Sequence, residues 1–98
     1  MKEVVWTNHA KSKMRYYRLS ESRVRSVIHS PKRIEEGIAE NTIAIMQSAG
    51  SKKHPYEIWA MIVEEKDKRK IISAWRYPGI TKAGDPLPPE ILKELKRI

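Results

Sequence analysis

Apolar residues recur along this chain with two different periods, one following the other. Val4-Val5-Trp6 is a short apolar opening, enough for a first strand. From Ala10 the period is helical: Ala10, Met14 and Tyr17 fall at i, i+4 and i+7 and form one stripe. Thr7 or Asn8 offers the side-chain oxygen that caps such a helix. Lys11, Arg15 and Arg18 repeat at the same spacing on a second face, and His9, Lys13 and Tyr16 line a third. Leu19-Ser20 breaks the segment, and Ser20 opens a second helix as its N-cap, with Glu21 at the positive end of the dipole. Leu19 and Val24 stand at the spacing of a hydrophobic staple, and Val24, Val27 and Ile28 form the buried side. Pro31 ends this helix, because the residue before a proline avoids helical backbone.

The period then changes to two. Residues 33–38 form a candidate strand weakened by Gly37, and 42–47 alternates, with Ile43 and Ile45 on one face and Ala44 and Met46 on the other. Gly50 to Lys53 reads as a loop. In the strand over 56–63, Ile58 to Val63 is apolar on both faces, as in a central strand covered on both sides. A charged connection, 64–69, leads to a last strand over 70–77. Pro78-Gly79, Gly84-Asp85-Pro86 and Pro88-Pro89 then mark an irregular connector. Pro89 is placed to open a final helix with Ile91, Leu92, Leu95 and Ile98 on one face. The pattern predicts an α+β fold: two N-terminal helices packed on a twisted antiparallel sheet of about four strands, with a short C-terminal helix. Residues 1–78 form the core, and 79–98 supply the Pro-rich connector and the amphipathic helix packed on it.

Composition narrows the choice of partner. The 98 residues carry 20 Lys/Arg against 12 Asp/Glu, a net charge of +8. Such a surface attracts polyanions or acidic proteins. The charge is uneven: Thr7 to Ser20 contains no acidic residue. With no cysteine, disulfides, thiolate nucleophiles and Cys-based zinc sites are excluded together. His9, His29 and His54 lack metal-ligand spacing, no Gly-rich loop fits a phosphate cradle, and no cofactor is expected. The amino terminus lacks a signal-peptide apolar stretch, and the longest apolar run, Ile58 to Val63, is too short for a bilayer. The expectation is a cytoplasmic protein with no membrane partner.

His9-Ala10-Lys11-Ser12-Lys13-Met14-Arg15, Ser20-Glu21-Ser22, His29-Ser30-Pro31 and Trp75-Arg76-Tyr77-Pro78 together resemble a family of small bacterial and phage domains of unknown function. Members open with His-Ala, a Met or Leu and basic residues; their second helix has a Ser-Glu-Glu-like cap, matched here in part. The resemblance covers about residues 6–78, and that family lies near the RelE-type toxin and ribonuclease fold. It implies two helices on a twisted antiparallel sheet whose open face engages RNA, and a toxin-like partner relation with an acidic antitoxin. Function carried over from a fold is analogy.

RNA cleavage without a metal needs a base for the 2′-hydroxyl, a cation for the phosphorane and an acid for the leaving oxygen. His9, Arg15, Arg76 and Tyr77 are the candidates for this chemistry. Lys11, Lys13, Arg15 and Arg18 are the candidates for nucleic-acid binding, and Tyr17 or Tyr77 for stacking on a base. Each has a structural counterpart. A histidine at a helix start can cap backbone groups, a basic stripe can be a solvated face, and Tyr17, Trp59 and Trp75 lie in apolar settings that suit a core. Arg76, between two aromatics in a strand, requires a partner or a solvent-facing groove. The leading expectation is an RNA-binding domain of RelE-like toxin type, with metal-independent endoribonuclease activity left open. A non-catalytic interaction module using the basic face or C-terminal helix is the alternative. A DNA-binding helix pair ranks last, since Tyr17, Arg18 and Leu19 occupy a turn that often holds glycine.

Overall fold

The structure is a computed structural model and describes residues 2–37 and 41–84. Its elements are β1 (Glu3–Trp6), α1 (Asn8–Tyr17), α2 (Glu21–His29), β2 (Arg33–Glu36), β3 (Thr42–Gly50), β4 (Pro55–Glu64) and β5 (Lys68–Pro78). The α+β class and the two helices stand as the periodicity predicts. The sheet differs: it has five strands, ordered β1-β5-β4-β3-β2, and it is mixed. The strands β2 to β5 pair antiparallel, whereas β1 runs parallel to β5. Short connections oblige the other strands to reverse, but β1 reaches β5 only through the whole intervening chain, so no hairpin sets its direction. The anticipated C-terminal helix and its packing lie outside the described residues.

Local chemistry sets the boundaries. Thr7 caps α1, its hydroxyl oxygen accepting from Ala10 N at 3.1 Å. Ser20 caps α2 in the same way, accepting from Arg23 N at 3.0 Å. Just past β2, Gly37 N bonds Thr42 O at 2.9 Å, an approach to β3 so close that a Cβ there would lie 2.0 Å from Thr42 Oγ1. The β4–β5 register slips between Met61 and Ile62, which oppose Ser73 and Ile71, leaving Ile72 as the extra residue of a bulge. The bulge puts Ile71 and Ala74 on the same face. It also offers the Ile71 carbonyl to the Thr7 hydroxyl at 2.8 Å, which ties the start of α1 to β5.

The two faces of the sheet have separate cores. On one, Ala10, Met14, Leu19, Val24 and Val27 from the helical layer bury Ile45, Ile58, Ala60, Ile62, Ile71 and Ala74. On the other, Ala44, Met46, Trp59, Met61 and Trp75 cluster. There Trp59 and Trp75 stack with rings 5.7 Å apart and 3° from parallel. Tyr17, the last residue of α1, packs against both clusters, as its place on the apolar stripe predicts. No helix among the described residues is long and apolar enough to cross a membrane.

Two stability tests follow from the edges of this fold. Gly50 has φ +79°, and a Cβ would meet His54 O at 2.3 Å, so Gly50→Ala should cost on the order of 1–3 kcal/mol in a urea melt. Beside β1, Lys2 Nζ and Arg69 Nε each donate to Glu64 at 2.5 Å. Partial burial raises the Glu64 pKa, but these hydrogen bonds and charges outweigh it and hold the carboxyl below its ordinary 4.5. The clamp therefore contributes fully above the unfolded-state value and is lost as pH falls through the lower folded value. Glu64→Gln should cost at most about 1 kcal/mol at neutral pH, and the difference from wild type should vanish in acid.

Candidate nucleic-acid interface

The absence of acid in α1 leaves its basic face without an internal counter-charge. Ala10 and Met14 turn inward, so Lys11 and Arg15 are carried outward and both are exposed. The helix ends at Arg18, which adopts the left-handed conformation, φ 57° and ψ 47°. Its N–H turns back to the Arg15 and Met14 carbonyls, and Leu19 N bonds Met14 O at 2.8 Å. That is a C-terminal cap usually built on glycine, since a Cβ is unfavourable there. This chain instead places an exposed arginine in the turn. Lys11, Arg15 and Arg18 then line an open groove of about 550 Å³, floored by Met14 and Leu19 and bounded by Ser20 and Glu21 at the start of α2. None of the three cations pairs with a carboxylate among the described residues.

Other basic residues are occupied. Arg23 donates to Gln47, whose amide also reaches Ser30 O at 3.2 Å. Arg25 lies over the Trp6 ring at 5.4 Å, and Lys13 over the Tyr16 ring at 5.6 Å. Lys13 thus belongs to the third face of α1, outside the groove. Tyr16 is 75% exposed and meets Tyr17 edge-on at 4.8 Å. It was not among the residues expected to stack on a base, although its place away from the apolar stripe signals exposure.

No match to this chain is found among family models, curated proteins or solved structures. Function therefore rests on the geometry.

The four residues expected to cut RNA do not converge. Arg15 lies in the groove, but His9, Arg76 and Tyr77 do not line it. His9 is half-buried, and its Nε2 is enclosed without a hydrogen bond, so neither a capping nor a catalytic contact is made there. Arg76 pairs with Ile58 on the helix-covered face of β5, donates to Tyr17 O at 3.3 Å and lies 4.8 Å from the Tyr56 ring. The partner that a strand arginine requires is therefore internal. Tyr77, one residue on, falls on the opposite face, packed against the tryptophan cluster.

That second face also departs from the open surface that the resemblance implies. Trp59 is 2% exposed and Trp75 1%. Among them sits Glu57, a buried acid that strand alternation places in line with Trp59 and Met61, a signal legible in the sequence. Its carboxylate accepts from Trp59 Nε1 at 3.0 Å, from Thr81 N at 3.2 Å and from Thr81 Oγ1 at 2.8 Å. Arg33 donates to the Thr81 carbonyl at 2.9 Å and hydroxyl at 2.6 Å, and its guanidinium lies 5.2 Å from the Trp59 ring. Arg33 Nε is also 3.1 Å from Glu35 Oε1, an ion pair without hydrogen-bond alignment.

These contacts make Arg76 a residue that holds α1 on the sheet. Arg76→Ala should lower stability by about 1–2 kcal/mol in chemical melts and leave polyanion affinity close to wild type. A folded variant of full stability that fails to bind would return Arg76 to the binding site.

Proposed function

We propose that the domain binds RNA along the groove between the end of α1 and the start of α2, through Lys11, Arg15 and Arg18. One observation carries this reading. Arg18 holds a backbone conformation that suits glycine, and its side chain stands with two other exposed cations that pair with no carboxylate among the described residues. A non-glycine residue in that conformation costs about 1–2 kcal/mol, a strain typical of sites kept for binding rather than stability. Arginine forks and a lysine charge suit successive backbone phosphates, and binding by such contacts is insensitive to base sequence.

The reading is one of binding. Cleavage has no assembled acid, base and cation in this groove. A helix-turn-helix on DNA is disfavoured because the arginines of α2 already have neighbours in the chain, Arg23 on Gln47 and Arg25 over the Trp6 ring. An acidic protein in the same groove is the rival that experiment separates.

Fluorescence anisotropy with a short single-stranded RNA tests the proposal. Affinity should fall with salt, and removing three phosphate contacts in a K11A/R15A/R18A variant should flatten the log–log salt slope by about 2. Unchanged RNA affinity in that variant would sink the reading. Arg18→Gly separates strain from charge. Relief of the left-handed strain, less the extra freedom of glycine in the unfolded chain, should raise stability by about 0.5–1 kcal/mol while RNA binding weakens.

A further inference from the structure

Among the described residues three large apolar side chains lie open, Tyr16, Ile34 and Ile80, and Tyr16 is the most exposed at 75%. It alone of the three is aromatic, and it alone lies on α1, which carries no acid. Single exposed apolar residues are ordinary on a protein surface. Two features set this one apart: its ring is held in place, and it adjoins the basic groove. Tyr17 meets the ring at 86° with centroids 4.8 Å apart, and Tyr17 is itself packed against the cores on both faces of the sheet. The Lys13 ammonium, from the preceding turn, lies 5.6 Å from the ring centroid. These contacts orient the phenol and still leave three quarters of the residue accessible. Its position follows from helix geometry. Lys11 and Arg15, four residues apart, share the groove side of α1, and Tyr16 lies one residue, about 100° of rotation, beyond Arg15. Met14, on the groove floor, lies about 100° the other way. Arg15 therefore stands between the groove and the ring.

We propose that Tyr16 is a base-stacking platform, and that the ligand of the groove is an unpaired stretch of RNA. This rests on the reading of Lys11, Arg15 and Arg18 as a phosphate track. A strand with a phosphate on Arg15 turns an adjoining base onto the phenol ring. Within a duplex both faces of a base are covered by its neighbours in the stack, so a single strand or loop is what offers a face to the protein. Stacking accepts any base, because every base has a π-face, and so adds affinity without sequence preference, as the phosphate contacts do. The charge of Lys13 beside the ring favours the same polyanion. Tyr16 thereby separates unpaired from paired RNA, a distinction that the three cations alone do not make.

Fluorescence anisotropy on the full chain tests this with three labelled probes of equal length: an unstructured single-stranded RNA, the same strand annealed to its complement, and a strand with abasic sites in place of its bases. Tyr16→Ala should weaken single-strand binding by about 5- to 100-fold. It should leave the salt slope unchanged, because no phosphate contact is lost. Tyr16→Phe should bind as wild type does, whereas Tyr16→Leu, apolar but without a π-face, should fall with alanine. All three variants should melt close to wild type, since the side chain is exposed. On the duplex and the abasic strand, Tyr16→Ala and wild type should bind alike. Single-strand affinity unchanged in Tyr16→Ala but lost in K11A/R15A/R18A overturns the platform and leaves the groove standing. An equal loss on all three probes, or a leucine variant that binds as wild type does, overturns stacking as well. A wild-type chain that binds none of the probes removes the groove reading and the platform together.

Discussion

The burial of β4 on both faces is the constraint from which the rest follows. Ile58, Ala60 and Ile62 point to one side and Trp59 and Met61 to the other, and all are nearly inaccessible. A strand of this kind must sit inside a sheet with cover above and below. The helices supply one cover through the stripe of Ala10, Met14, Val24 and Val27. On the other side the anchored strap brings the chain back over β4. The polar residues mark where these layers are pinned. Thr7 and Arg76 hold α1 to β5, Gln47 holds α2 to β3, and Glu57 with Arg33 holds the strap.

Much of this architecture is legible in the residues. Both helices, their caps and the strands β2 to β5 follow from a change of period near Pro31, because half-buried elements write their geometry into the alternation of apolar positions. The parallel edge strand is less visible. Four residues long, β1 carries a strand propensity but nothing that names its partner or direction. The bulge at Ile72 is invisible for a similar reason: Ile71-Ile72 reads as an ordinary apolar pair until the register with β4 is known.

The site was legible in part. Lys11, Arg15 and Arg18 share a face by simple helical spacing, and the structure keeps them together. The catalytic grouping fails because its members lie on elements whose facing depends on register. Arg76 and Tyr77 are adjacent in sequence and so separated by the sheet itself, and His9 belongs to a different row of α1 from Arg15. The buried acid Glu57 shows the reverse. Its position among apolar neighbours is plain in the sequence, but its partners, Thr81 and Trp59, come from the return of the chain across the sheet.

The parallel pairing of β1 also bears on how the chain reaches this state. The β3–β4–β5 meander closes through short loops, and α1 and α2 form from neighbouring residues. Glu3 meets Lys68, by contrast, across the widest sequence separation in the sheet, with both helices and β2 to β4 between them. The entropy of closing so large a loop is recovered only by the last contacts made. The pairing of β1 with β5 thus carries the largest closure entropy in the sheet. Because Thr7 follows β1 directly, caps α1 and bonds the Ile71 carbonyl, the same long-range pairing also fixes where the basic helix starts on the sheet.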